Sequence, residues 1–109
     1  MSEKWKDQQT EDLFDAILSL KNRAECYSLF EDLCTISEIK SLAQRLQIAD
    51  LLYQGKTYAE IFEITGVSTA TISRVNRCLE YGADGYRTVL MRRYGAEEAD
   101  TNNNTSEGE

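Results

Sequence analysis

Apolar positions recur at helical spacing along most of the chain. Leu13, Phe14, Ile17, Leu18 and Leu20 line one face and predict a helix over about 11–21. "KNRAE" follows without a strong breaker, and Cys26, Tyr27, Phe30, Leu33 and Cys34 repeat the pattern in a second helix. Thr35-Ile36-Ser37-Glu38 spells a capping box, in which the threonine oxygen accepts from the amide three residues on and the glutamate reaches back. A long helix over about 36–54 should follow. Its apolar set is Ile39, Leu42, Leu46, Ala49 and Leu52 or Tyr53, and Ile48 and Leu51 widen the stripe beyond one face. A helix of that kind must be covered on several sides. In a chain of 109 residues an intersubunit core is the simplest cover, with a central helix in a monomer as the other.

Gly55 suits the left-handed residue past a helix end. Thr57 and Glu60 form a second capping box and open a short helix, 57–65, with Ile61 and Ile64 on one face. Gly66 ends it, Val67 packs, and Ser68 caps a helix over 69–81 that turns Ile72, Val75 and Leu79 inward. A last helix over about 84–94 holds Tyr86, Val89, Leu90 and Tyr94. Residues 1–10 are expected to be a flexible N-terminus, and 95–109 hold no core-forming residue and are expected to be a disordered acidic tail. The pattern predicts an all-α, multi-helix fold with one helical domain over 11–94.

Composition narrows the class. The chain is 41% hydrophobic and 28% charged, with no proline and 6 glycines, which favours helices over turn-rich β structure. No apolar run approaches the ~18 residues of a membrane span. The N-terminal stretch is polar and acidic, unlike a secretory signal, so the expected location is the cytoplasm and no membrane partner is expected. Cys26, Cys34 and Cys78 form no CxxC pair, and the chain has no histidine. Reduced thiols serving as small packed side chains are the natural reading. With no metal cluster and no glycine-rich phosphate loop, no catalytic or metal-ligating residue is assigned and the protein is not read as an enzyme.

The net charge of −7 argues at first against nucleic acid. Its distribution reverses that argument. Residues 67–94 hold Arg74, Arg77, Arg87, Arg92 and Arg93 against Glu80 and Asp84 alone, and are the one positive segment between acidic flanks. Phosphate contacts need local charge rather than global charge.

That segment begins inside "GVSTATISR", Gly66 to Arg74. A short helix, a glycine turn and a second helix form a helix-turn-helix pattern over 57–81. Such a unit needs small or hydrogen-bonding side chains at the start of its second helix, because that end enters the major groove. Ser68, Thr69, Ala70, Thr71 and Ser73 supply them, and Arg74 and Arg77 add charge nearby. Alanine and threonine methyls can meet a thymine methyl, and hydroxyls can meet base edges or phosphates.

The run "TISEIKSLAQRLQIADLLYQGKTYAEIFEITGVSTATISRVNRCLEYG", Thr35 to Gly82, resembles the Trp repressor superfamily, and within it the YerC/YecD branch of Trp-repressor-like proteins. That branch tolerates a large residue at Phe62, where many helix-turn-helix units hold a small one. The resemblance implies an intertwined all-α homodimer on palindromic operator DNA, with an amino-acid co-repressor such as tryptophan, histidine or a similar molecule between the dimer core and each helix-turn-helix. The effector-binding positions it implies are Thr35, Arg45 and Arg74, with Val75 and Cys78 beside them. Val75 stands where the family has a glycine and Cys78 where it has a serine, so a smaller effector than tryptophan, or none, is implied.

The function expected is a cytoplasmic, sequence-specific DNA-binding regulator of transcription. In this reading it represses an amino-acid biosynthesis operon, with or without an amino-acid effector. The alternative class is a helical interaction module that binds no DNA.

Overall fold

The computed structural model describes residues 3–95. Six helices run along them: α1 (Gln8–Leu18), α2 (Arg23–Leu33), α3 (Ile36–Tyr53), α4 (Tyr58–Thr65), α5 (Thr69–Tyr81) and α6, residues 85–95. No strand occurs among the described residues. Where the sequence pattern suggests one helical domain over 11–94, the chain divides into two compact units at the Lys40–Ser41 junction, inside α3.

The first unit owes its helix boundaries to side-chain caps. α1 begins three residues before the expected start at 11, so residues 8–10, expected within a flexible N-terminus, form its first turn. The cause is Asp7, whose Oδ1 accepts from the Thr10 amide at 2.9 Å. The segment "KNRAE" does contain a helix start. Asn22 Oδ1 accepts from the Glu25 amide at 2.9 Å, while Glu25 Oε1 accepts from the Lys21 amide at 2.9 Å. At α3 the expected box is present: Glu38 N donates to Thr35 Oγ1 at 3.1 Å, and Thr35 N donates to Glu38 Oε1 at 2.8 Å. These helices are amphipathic, yet none of residues 3–40 is buried. Phe14, Leu18, Tyr27, Leu33 and Ile36 are all exposed.

The second unit holds the core. Ile48 and Ala49 of α3, Ile61 of α4, Val67 of the turn, Ile72, Val75 and Leu79 of α5, and Leu90 of α6 form one buried cluster. α3 ends in a Schellman motif: Gly55 sits at φ +88°, its amide donates to Leu52 O at 3.0 Å, and Lys56 N donates to Leu51 O at 3.0 Å. Thr57 and Glu60 then close a complete capping box on α4. Gly66, at φ +74°, ends that helix with its amide on Phe62 O at 2.7 Å. α6 starts at 85, one residue later than expected, after Asp84 in the left-handed region at φ 68°. The expected tail, 95–109, lies outside the described residues except for Gly95, which belongs to α6.

Candidate nucleic-acid interface

The spacing of α5 separates two faces. Ile72, Val75 and Leu79 point into the core, the first at 0% exposure and the others at 2% and 4%. Ala70, Ser73, Arg74 and Arg77 recur at steps of three and four on the opposite side, and all four are exposed. Thr69 is exposed in the first turn. The hydroxyls expected to face DNA do not all behave alike. Ser68 Oγ caps α5, accepting from the Thr71 amide at 3.3 Å, and lies 3.2 Å from Thr71 Oγ1. Those two side chains therefore build the helix start, while Thr69, Ala70, Ser73, Arg74 and Arg77 form the open surface.

The electrostatics of the helix starts single out α5. α1, α2, α3 and α4 each hold an acid in the first turn: Glu11, Glu25, Glu38 and Glu60. Such acids answer the positive end of the helix dipole. Two of these carboxyls are held below their usual range by hydrogen bonds from the cap: amide and hydroxyl donation from Thr35 lowers the Glu38 pKa, and the same from Thr57 lowers that of Glu60. α5 has no acid in its first turn. The positive end of its dipole therefore has no carboxylate of its own, and Ser68 Oγ caps it instead.

Not all of the positive segment faces outward. Arg87 Nε donates to the Leu79 carbonyl at 2.9 Å, and its Nη2 reaches Glu80 Oε1 at 3.4 Å. Arg93 Nη1 pairs with Asp50 Oδ2 at 3.2 Å. Arg74, Arg77 and Arg92 are exposed and make no hydrogen bond or ion pair among the described residues. One residue that pattern reading passed over belongs with them. Tyr81, 86% exposed, continues the Ala70–Arg74–Arg77 face by one further turn. The same stride of three and four could have flagged it.

The residues suggested for an effector are placed differently. Thr35 lies in the first unit, with its amide and hydroxyl used by the cap. Arg45 is exposed and donates from Nη1 to Ser41 Oγ at 3.0 Å. Arg74 lies on the open face of α5, and Val75 is a core side chain. The second unit has a cleft of about 550 Å³ lined by Leu46, Cys78, Gly82, Tyr86 and Val89 among others. Its lining is apolar and includes Cys78 but neither arginine nor Val75.

The family model described as Trp repressor protein matches residues 8–94, most of the chain. The chain belongs to the Trp repressor family. This family member is 56% identical over 90 residues to the uncharacterized protein YerC of Bacillus subtilis (strain 168), covering 83% of this chain and 86% of that one. A solved TrpR-like protein from Eubacterium eligens ATCC 27750 superposes with a TM-score of 0.80 at 56% identity, covering 86% of this chain and 96% of that chain. A solved Staphylococcus aureus protein gives a TM-score of 0.80 at 54% identity, over 84% of this chain and 92% of that chain. These are near relatives in both sequence and fold. In this Trp repressor family member, no helix among the described residues is long and apolar enough to cross a membrane.

Proposed function

We propose that this protein is a homodimeric, sequence-specific DNA-binding regulator of transcription, with α5 entering the major groove and α4 bracing it. The observation that carries this reading is the outward face of α5. Ala70, Ser73, Arg74 and Arg77 are exposed and internally unpartnered, at a helix whose first turn has no acid. Thr69, Ala70 and Ser73 are the base readers in this reading, and Arg77 meets phosphate. Membership in the Trp repressor family supports the same role and a repressor on palindromic operator DNA. Dimerisation is supported by the first unit, whose helices leave Leu18 81% exposed and Ile36 64% exposed. Apolar faces of that extent in a short segment call for a partner surface.

Effector-independent binding is favoured over an amino-acid co-repressor. Val75 is already packed at 2% exposure, and Arg45 has a partner in Ser41. The target to test first is an amino-acid biosynthesis operon. The experiment is selection of bound genomic fragments with and without pooled amino acids, followed by salt titration of the selected site. A recurrent palindrome is expected, with affinity falling steeply with salt, by about 0.9 in log–log slope per neutralised phosphate. A protein that shows no salt-dependent DNA binding would be a helical interaction module instead. A gain in affinity with tryptophan or histidine beyond twofold would restore the co-repressor.

A further inference from the structure

α5 has no basic residue in its own last turn. Its C-terminal carbonyls are left without intrahelical donors and carry the negative end of the dipole. The missing cation comes from the next helix: Arg87 of α6 donates Nε–H to the Leu79 carbonyl and holds Glu80 with Nη2. The chain leaves α5 through Gly82, folded close onto that helix's own last turn. A Cβ on Gly82 would lie 2.3 Å from the Cys78 carbonyl oxygen, so only glycine passes there without a backbone shift.

The far end of α6 is tied to α3. Asp50, with its side chain 14% exposed, takes Arg93 Nη1 at 3.2 Å. It also accepts from the Tyr94 hydroxyl and from Gln54 Nε2, and the Tyr53 and Tyr94 rings stack at 5.8 Å. Leu90, at 0% exposure, sits between the two polar anchors. α6 thus joins the end of the central helix to the end of the helix whose outer face is open.

We propose that Arg87 is a positioning residue for DNA recognition: through α6 it holds the C-terminal end of α5 against the α3 anchor and so sets the tilt of the reading face. The inference rests on the DNA-binding reading above. A 13-residue helix is about 20 Å long. Releasing one end by an ångström or two moves the side chains at the other out of hydrogen-bond range of a base edge.

The test compares Arg87→Ala with Arg77→Ala in the full chain. Affinity for the selected site and for unrelated duplex is measured across salt, and amide hydrogen exchange is followed in the free protein. Arg87→Ala should lower specific affinity roughly five- to tenfold, the net scale of one ordinary intramolecular hydrogen bond. It should leave unrelated-duplex affinity and the salt slope unchanged, and exchange in the last turn of α5 should speed up. Arg77→Ala should instead lower the slope by about one unit per site. Tyr94→Phe keeps the ring stack but loses the hydroxyl on Asp50, and should give a smaller loss in the same direction. If Arg87→Ala fails to fold, Tyr94→Phe decides alone. A slope loss in Arg87→Ala would make it a phosphate contact, and faster exchange without lost specificity would make it structural only. Either result overturns the proposal. A wild type that binds no DNA overturns the reading beneath it, an outcome distinct from a wild type that binds and an Arg87→Ala that binds equally well.

Discussion

Leu42→Glu tests the dimer directly. Leu42 lies on α3 and the single chain leaves it 44% exposed. Full burial of a leucine is worth ~1.5–3 kcal/mol, so the exposed share amounts to about 0.7–1.3 kcal/mol if a partner covers it. In a twofold assembly every interface position occurs twice, which raises this to about 1.3–2.6 kcal/mol, or about tenfold to eightyfold in Kd. A carboxylate at the same place adds the cost of burying an unpaired charge, several kcal/mol more. Sedimentation across nanomolar to millimolar concentration, with thermal unfolding at each point, reads both effects. Wild type should be a dimer at micromolar concentration, with an unfolding midpoint that rises with concentration. Leu42→Glu should dissociate and unfold under the same conditions. In a monomer, a half-exposed leucine replaced by a solvated carboxylate would change stability by only about 0.5 kcal/mol. A folded wild-type monomer, or a Leu42→Glu variant matching wild type in mass and midpoint, would refute the argument.

Thr69 or Ala70 substitutions should change the selected DNA sequence at about 1–3 kcal/mol per lost base contact, and an unchanged motif would show that the reading helix is misplaced. Gly82→Ala places a methyl 2.3 Å from the Cys78 carbonyl oxygen of α5, so it should lower the thermal midpoint and weaken specific binding together; a midpoint equal to wild type would count against a glycine requirement at the exit from α5. Val75→Gly removes a core side chain and lowers helix propensity, and should destabilise by about 2–4 kcal/mol in denaturant titration. The capping carboxyls of Asp7, Glu38 and Glu60 lie below their ordinary values of 3.8 and 4.5 because backbone amides, then hydroxyls, donate to them. A lowered folded pKa gives stability that is present above the ordinary carboxylate range and lost as pH falls through the folded value. The midpoint should therefore hold at neutral pH and drop below about pH 4, and Glu60→Gln, which keeps an acceptor without the titration, should flatten that drop.

Local physics made most of the helical plan legible. The boundaries of α3, α4 and α5 follow from Thr35, Thr57, Ser68, Gly55 and Gly66, each of which acts on amides or carbonyls within five residues of itself. The caps at Asp7 and Asn22 were equally local. Apolar spacing alone does not show them, because it starts only with the first inward side chain. The inward stripe Ile72–Val75–Leu79 and the open stripe opposite also follow from helical periodicity alone.

What a side chain spends its polar atoms on is a different kind of question, and only the fold answers it. Sequence counting puts five arginines in one positive segment, yet Arg87 is folded back on Leu79 and Arg93 on Asp50, across separations of eight and more than forty residues. Val75 reads equally well as a pocket wall or a core residue until its neighbours from α3, α4 and α6 are in place. Periodicity fixes the direction in which a side chain leaves its own helix. It says nothing of what stands there, because the partner's distance depends on how the intervening turns bring other helices back.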